Sequence, residues 1–213
     1  MQTLRRSFNL SCSNREIYNS TTSNLIPTMF NGGRGSVFAY GQTGSGKTHT
    51  MNGVMDGLIE SEVRMMCEER AKAILVFLST TSLLLTLRCQ IFNSETAVSF
   101  SYLELLGNDI KDCLGPADAQ PVAIGEALDG RVLTRNLTNH SVATSGDLKS
   151  LVEKAKSLRS TAATTRNDTS SRSHGCGIIQ CKDIETGIIG TLYIIDLAGS
   201  ERAADQKNHD KAR

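Results

Sequence analysis

The chain has 213 residues, of which 39% are hydrophobic, and its 23 basic and 22 acidic side chains give a formal net charge of +1. A chain of this length can bury a sizeable core, most economically as one domain of mixed α/β type. The small net charge argues against a global field for nucleic acid or an anionic membrane, so any polyanion has to be bound locally.

Two features indicate the compartment. None of the six cysteines belongs to a C-x-x-C pair or follows a secretory signal, which predicts reduced thiols in a cytosolic protein. The apolar stretch 73–87 is interrupted by the polar residues 79–82 and is shorter than the roughly 20 residues of a membrane span. We therefore predict a helix end followed by a buried strand there, and no membrane segment.

The first predicted helix begins after Ser13, because Ser13 and Glu16 have the spacing of a capping box. Gly32 and Gly33 close this segment. Pro27 lies inside it, and an interior proline costs about 3 kcal/mol, so the helix either kinks there or ends early. The apolar run 37–40 then predicts a short buried strand.

The most informative motif follows that strand and fits the phosphate-loop pattern G-x-x-x-x-G-K-[ST]; its residues are Gly41, Gln42, Thr43, Gly44, Ser45, Gly46, Lys47 and Thr48. The glycines allow backbone N–H groups to point at phosphate oxygens, and the following helix adds a positive dipole end. Lys47 provides a charge for the β- and γ-phosphates, and Thr48 a hydroxyl ligand for Mg²⁺. The alternative is a plain surface turn, which the strand before and helix after the motif disfavour.

The second half alternates strands and one helix, as nucleotide-binding α/β sheets do. A strand is predicted at 98–106 and an amphipathic helix at 147–158, with an apolar stripe of Leu148, Leu151, Val152, Ala155 and Leu158. The segments 177–184 and 190–197 predict a hairpin, in which the more apolar second strand is the more central.

Two weaker signals accompany the phosphate loop. Asp196 ends the last strand, where open α/β sheets place ligands, and it can hold Mg²⁺ through water while Gly199 offers its N–H to a γ-phosphate. The run 167–174 surrounds Arg172 with short hydroxyls, as a loop closing over a metal and a phosphate requires. Taken alone, a D-x-x-G motif is weak and a serine-rich run is usually a solvated connection.

Together, residues 38–51, 167–174 and 195–202 resemble, in that order, the phosphate loop, switch I and switch II of the kinesin motor domain. Myosins have a different phosphate loop and no histidine after the switch I serine, and small GTPases need an Asn-Lys-x-Asp motif that this sequence lacks. The resemblance extends over about residues 8–213. It implies the P-loop NTPase fold, a three-layer α/β architecture with helices on both faces of the sheet.

The resemblance also implies an Mg²⁺-dependent ATPase site. Residues 41–48 would cradle the ATP phosphates, and His49 would lie against the nucleotide. Ser171 is similar to the switch I serine that reaches Mg²⁺ or the γ-phosphate, and Asp196 to the aspartate behind the water shell of the metal.

The remaining implied roles concern catalysis by positioning and electrostatics. Arg172 and Glu201 would form the salt bridge that closes the two switches. Glu201 would also order a water relay rather than abstract a proton alone. Gly199 would contact the γ-phosphate.

Microtubules are the partner that the resemblance implies, in the cytoplasm and its cytoskeleton, with neither nucleic acid nor membrane. Kinesin motors begin with a strand carrying Arg-x-Arg-Pro and continue past switch II into the main tubulin-binding elements. Neither is found here, so we expect a fragment or truncated gene product with weak or no microtubule binding and a mobile segment 203–213. Two alternatives remain open, namely a non-motile nucleotide-binding pseudo-motor and an unrelated phosphate-loop enzyme such as a small-molecule kinase, which the switch motifs oppose.

Overall fold

A computed structural model describes residues 7–9, 11–60, 96–128, 132–163 and 173–200 of the chain. The predictions for the apolar stretch 73–87, for most of the polar run 167–174 and for residues 201–213 lie outside these ranges.

The capping box at the first helix is confirmed. Helix α1 spans Asn14–Ser20; its Glu16 N–H donates to Ser13 Oγ at 3.3 Å, and the Ser13 N–H donates to Glu16 Oε2 at 2.8 Å. The backbone hydrogen bond from Ser13 is the main cause that lowers the pKa of Glu16. This exchange satisfies two backbone groups that the first turn of a helix would otherwise leave without partners.

The early end that Pro27 allowed is also confirmed. After α1 the chain forms a short 3-10 helix, Ser23–Leu25, and then helix α2, Ile26–Phe30. Pro27 lies in the first turn of α2, where the missing N–H has no intrahelical partner to lose. The proline therefore begins a helix instead of kinking one.

The strand that leads into the phosphate loop, β1, spans Arg34–Ala39, and helix α3, Lys47–Leu58, follows the loop. The prediction of a buried strand at 37–40 is wrong, because Val37 and Ala39 are only half-buried and the residues that follow each of them are exposed. Phe38 is 63% exposed and Tyr40, just beyond the strand, is 75% exposed. Within the described part of the chain β1 pairs only with one neighbour, so it forms an edge of the sheet there.

The main sheet has six strands in the described ranges. The other five are β2 (Thr96–Leu106), β3 (Asp109–Asp112), β6 (His140–Val142), β7 (His174–Asp183) and β8 (Ile189–Asp196). Their order is β1-β8-β7-β2-β3, with β6 also pairing to β2. A separate two-stranded sheet consists of β4 (Ala123–Glu126) and β5 (Val132–Arg135). The β1–β8 pair is parallel, whereas the other pairs are antiparallel.

The predicted elements of the second half are present. The strand 98–106 lies within β2, and the predicted hairpin is the antiparallel pair β7–β8. The helix predicted at 147–158 lies within helix α4, Ser145–Ala163. The prediction that the second hairpin strand is the more central one is wrong within the described ranges: β8 lies next to the edge strand β1, whereas β7 lies between β8 and β2 in the middle of the order.

The core lies on both faces of this sheet. The larger cluster joins buried side chains of α1, α2, α3 and α4 to strand residues such as Phe100, Ile179 and Leu192. A smaller cluster on the alternate strand positions contains Leu103, Cys176 and Ile178. This two-residue alternation follows from the strand geometry.

The described cysteines are free thiols, as predicted: Cys12, Cys113, Cys176 and Cys181. Burial raises the pKa of Cys113 to about 11 and the pKa values of Cys176 and Cys181 to about 12. None of the helices in the described ranges combines the length and apolarity that crossing a bilayer requires.

Candidate functional site

The phosphate loop has the backbone that its glycines predict. Gly44 and Gly46 have φ values of +80° and +84°, which lie in the left-handed region that other residues rarely adopt. Gly46 is the N-cap of α3, and no side chain in the described part of the chain caps this helix end. The loop thus ends at a helix N-terminus whose positive dipole end favours an anion.

Lys47 opens α3, and its ammonium turns back over the loop. Its Nζ donates to the carbonyl oxygens of Gly41 at 2.8 Å and of Gln42 at 2.9 Å. These two bonds hold the positive charge beside the loop that the sequence assigns to phosphates. His49 lies exposed on the first turn of the same helix.

Asp196 lies at the end of β8, directly beside this loop. The parallel register of β1 and β8 pairs Ala39 with Asp196, so both strands end at the same edge of the sheet. Asp196 is 8% exposed, and its Oδ2 accepts a hydrogen bond of 2.8 Å from Thr48 Oγ1. The structure therefore brings together two of the three predicted magnesium ligands, Thr48 and Asp196, while the third, Ser171, lies outside the described residues.

A second donor reaches the same carboxylate. Arg159, which is 9% exposed on α4, donates from Nη1 to Asp196 Oδ2 at 2.8 Å and from Nη2 to the Ser173 carbonyl oxygen at 2.9 Å. Its Nε lies 3.6 Å from Glu104 Oε1, and that oxygen accepts a 2.6 Å hydrogen bond from Ser173 Oγ. Two carboxylates and one guanidinium thus share a buried polar cluster, here called the Arg159 cluster.

The Arg159 cluster is not predicted from the sequence. The buried stripe of α4 consists of Leu148, Val152, Ala155 and Arg159, whereas Leu158, a member of the predicted stripe, is 37% exposed. A charged residue at the helical spacing of an apolar stripe was the available signal. Glu104, between two leucines of a buried strand, was the matching signal on the sheet.

Tyr102 and Gly175 complete the packing around Arg159. Burial raises the pKa of Tyr102 to about 12, although the nearby Arg159 opposes the shift. Burial lowers the pKa of Arg159, but Tyr102 and Asp196 outweigh this effect and the pKa is raised overall. A Cβ atom at Gly175 would collide with the Tyr102 hydroxyl and would lie 2.8 Å from Arg159 Nη1. Only glycine leaves room for both side chains at this position.

The chain after Asp196 returns to the phosphate loop. The Ser200 N–H donates to the Gly41 carbonyl oxygen at 3.0 Å, and the Ala198 N–H donates to His174 Nδ1 at 3.1 Å. Gly199 is held between these two bonds, next to the loop. Of the other predicted site residues, Ser171, Arg172 and Glu201 lie outside the described residues.

The oxygen donors at this edge of the sheet fit Mg²⁺. Asp196 Oδ1 is buried and has no hydrogen-bond partner within the described ranges. The Thr48 hydroxyl donates its hydrogen bond to Asp196, so the lone pairs of its oxygen remain available to a cation. Mg²⁺ typically takes one or two such protein groups and completes its shell with phosphate oxygens and water, so this pair suffices.

Comparison with known proteins gives one consistent family. The family model described as "Kinesin motor domain" matches residues 2–213. The chain is 33% identical over 194 residues to "Kinesin-like protein KIN-8A" of Oryza sativa subsp. japonica, covering 88% of this chain and 23% of that protein. It is 34% identical over 220 residues to "Kinesin-like protein Klp61F" of Drosophila melanogaster, covering 99% of this chain and 20% of that protein. The chain thus spans about a fifth to a quarter of these relatives.

The fold has a solved counterpart as well. A structure described as "Structure of a fast kinesin: Implications for ATPase mechanism and interactions with microtubules" matches with a TM-score of 0.64 and 24% sequence identity. The match covers 95% of this chain and 55% of that one. This likeness shows the α/β fold that the phosphate-loop class implied.

Proposed function

This chain belongs to the kinesin motor domain family, and from that premise we propose that it is the ATP-binding and ATP-hydrolysing part of a microtubule motor. The observation that carries the proposal is the hydrogen bond of 2.8 Å between Thr48 and Asp196. It joins the phosphate loop to the strand end that would support the metal, which is the arrangement a nucleotide triphosphate with its cation requires.

The phosphate groups of ATP would lie along residues 41–48. Backbone N–H groups of the loop and the uncapped N-terminus of α3 supply hydrogen bonds and a positive dipole end. Lys47 would exchange the carbonyl oxygens of Gly41 and Gln42 for phosphate oxygens, which are stronger acceptors because they are charged. His49 would contact the nucleotide from the exposed first turn of α3.

Thr48 and Asp196 would hold Mg²⁺, the hydroxyl directly and the carboxylate through water. The chemistry that a cation held there would supply is neutralisation of negative charge on the phosphates during hydrolysis. Arg159 binds Asp196 Oδ2 at 2.8 Å, whereas Oδ1 of the same carboxylate has no hydrogen-bond partner within the described ranges. The guanidinium and the water shell of a metal would therefore compete for the negative charge of one carboxylate. The affinity for the cation would therefore depend on how firmly Arg159 holds the carboxylate.

Hydrolysis would depend on positioning and electrostatics, since no strong base lies beside the loop in the described part of the chain. We assign Ser171 to the metal or γ-phosphate, and the Gly199 N–H to the γ-phosphate. Arg172 and Glu201 would close the switches by an ion pair, and Glu201 would order the attacking water. In support, Ser200 is already hydrogen-bonded to Gly41 of the phosphate loop.

The partner we propose is the microtubule, in the cytoplasmic cytoskeleton, with neither a nucleic acid nor a membrane involved. For the 213-residue chain by itself we propose weak microtubule binding, because a net charge of +1 gives little attraction to the acidic surface of tubulin. Co-sedimentation at low ionic strength tests this part. Tight, saturable pelleting of the chain with microtubules would contradict it.

The nucleotide site is tested by Lys47→Ala. Loss of an ammonium that faces β- and γ-phosphates should weaken binding of a fluorescent ATP analogue by about a hundredfold or more. Lys149→Ala, which removes an exposed lysine from α4, is the matched control and should bind as the parent does. Equal binding by the parent and the Lys47 variant would refute the assignment.

Turnover is tested separately by Glu201→Ala. The variant should keep its affinity for ATP and hydrolyse it about tenfold or more slowly, since switch closure contributes to transition-state positioning. Unchanged hydrolysis would refute the role assigned to Glu201 and leave the binding site untouched.

A further inference from the structure

Glu104 is a buried carboxylate that the proposed nucleotide chemistry does not use. It lies on β2, is 5% exposed, and its Oε1 accepts the 2.6 Å hydrogen bond from Ser173 Oγ. A neutral hydroxyl alone does not compensate the cost of burying a full negative charge. The cation that faces this buried carboxylate is Arg159, whose Nε lies 3.6 Å from Glu104 Oε1.

Arg159 lies between the carboxylates of Asp196 and Glu104 and is closer to Asp196. Its bond to Asp196 is 2.8 Å long, whereas its Nε lies 3.6 Å from Glu104 Oε1, which is too far for a hydrogen bond. Arg159 Nε is accordingly buried without a hydrogen-bond partner within the described ranges. The guanidinium has a full bond to one carboxylate and an unused donor facing the other.

We propose that Glu104 is a positioning residue that acts through Arg159 to set the affinity of Asp196 for Mg²⁺. This proposal rests on the proposed function. A movement of Arg159 toward Glu104 by less than about 1 Å converts the loose contact into a charge-assisted hydrogen bond. Glu104 thus stabilises the guanidinium when it releases Asp196, and it keeps Arg159 from binding Asp196 too strongly.

Ser173 fixes the positions of Glu104 and Arg159 relative to each other. Its hydroxyl holds Glu104, and its carbonyl oxygen accepts the bond from Arg159 Nη2 at 2.9 Å. Ser173 directly precedes β7 and directly follows the run 164–172 that contains the candidate switch I residues. The residue that holds both Arg159 and Glu104 therefore lies directly between the candidate switch I residues and strand β7.

Glu104→Gln separates charge from packing, because glutamine has the same shape and its amide oxygen still accepts from Ser173. The experiment measures retention of fluorescent ADP by the 213-residue chain as Mg²⁺ is titrated, and again in EDTA. The variant should need about threefold or more Mg²⁺ for half-saturation and bind the nucleotide in EDTA within about twofold of the parent. Glu153→Gln, an exposed change on α4, should match the parent throughout.

Glu104→Asp tests whether a carboxylate at this position restores the Mg²⁺ requirement of the parent. It keeps the charge but shortens the side chain, so it should leave the Mg²⁺ requirement closer to the parent than Glu104→Gln does. A purely structural role predicts the reverse order, with the isosteric glutamine less disturbed. An unchanged Mg²⁺ requirement in Glu104→Gln, or a larger shift in Glu104→Asp, would overturn the proposal while the parent still binds nucleotide. Failure of the parent itself to bind nucleotide would overturn the proposed function, and the proposal with it.

Discussion

Thr48 Oγ1 donates a 2.8 Å hydrogen bond to Asp196 Oδ2 across 148 residues of sequence. The bond exists because β1 and β8 are parallel and in register, so the residues that follow Ala39 and those at Asp196 meet at one edge of the sheet. The antiparallel pairs elsewhere in the sheet place consecutive strand ends on opposite edges. Within the described ranges, the parallel pairing of β1 and β8 is what brings the two motifs together.

The Thr48 hydroxyl should contribute more than the Thr48 methyl group to Mg²⁺-dependent nucleotide affinity. Thr48→Val removes the donor to Asp196 and the oxygen offered to a cation, at nearly unchanged volume. We expect Mg²⁺-dependent nucleotide affinity to fall about tenfold or more in Thr48→Val and to change by less than about threefold in Thr48→Ser. Titration with a fluorescent nucleotide at fixed Mg²⁺ measures both. Equal losses in the two variants would show that the hydroxyl has no part in the site.

The sequence predicted the phosphate loop well because its requirements are local. Left-handed backbone at Gly44 and Gly46, and a helix beginning at Lys47, follow from residue types at fixed spacing. The position of Asp196 at a strand end was equally readable from the apolar run before it.

The sequence did not predict the Arg159 cluster because its members are distant in the chain and stabilise each other only when folded. Arginine and glutamate are residue types that usually lie at the surface. Arg159 and Glu104 are buried because each faces the other, 55 positions away in the chain. The exposure of Phe38 was missed for a related reason. Hydrophobicity predicts a strand, but the place of that strand in the sheet is set by pairing that its own residues do not specify.

Arg159→Met should destabilise the protein strongly. The substitution leaves the carboxylates of Glu104 and Asp196 buried without their shared cation, and breaking such an arrangement costs about 3–5 kcal/mol. Urea unfolding followed by circular dichroism measures the change in the free energy of unfolding. Lys154→Met, an exposed change on the same helix, is the control and should fall within about 0.5 kcal/mol of the parent.

Gly175→Ala tests the close packing around the same cluster. An added Cβ would meet the Tyr102 hydroxyl and Arg159, so either the strand or these side chains must shift. We expect a loss of about 1–3 kcal/mol in the free energy of unfolding, as for other overpacked sites. Gly125→Ala is the matched control, since a Cβ at that strand position would meet nothing within 4 Å. A loss of similar size in both variants would attribute the effect to glycine in a strand rather than to the contact.

Alkaline pH should destabilise the fold through its buried weak acids. Burial raises the pKa of Tyr102 from 10.0 to about 12 and the pKa values of Cys176 and Cys181 from 9.0 to about 12. The folded chain keeps these protons while the unfolded chain loses them. The stability they provide is complete below their unfolded pKa values and is lost as the pH rises through the folded values, so the window runs from about pH 9 to 12.

The slope of this loss can be assigned to single groups. Each acid that is ionised only in the unfolded chain lowers the free energy of unfolding by about 1.4 kcal/mol per pH unit. Cys181→Ala removes one such group and should make the decline between pH 9.5 and 11.5 shallower by about that amount, measured by urea unfolding in a reducing buffer. Cys12→Ala is the control, because Cys12 is only partly buried and its loss removes no deeply buried acid. Parallel declines in the parent and Cys181→Ala would show that the Cys181 thiol ionises as readily in the folded chain as in the unfolded one, which contradicts its burial among core side chains.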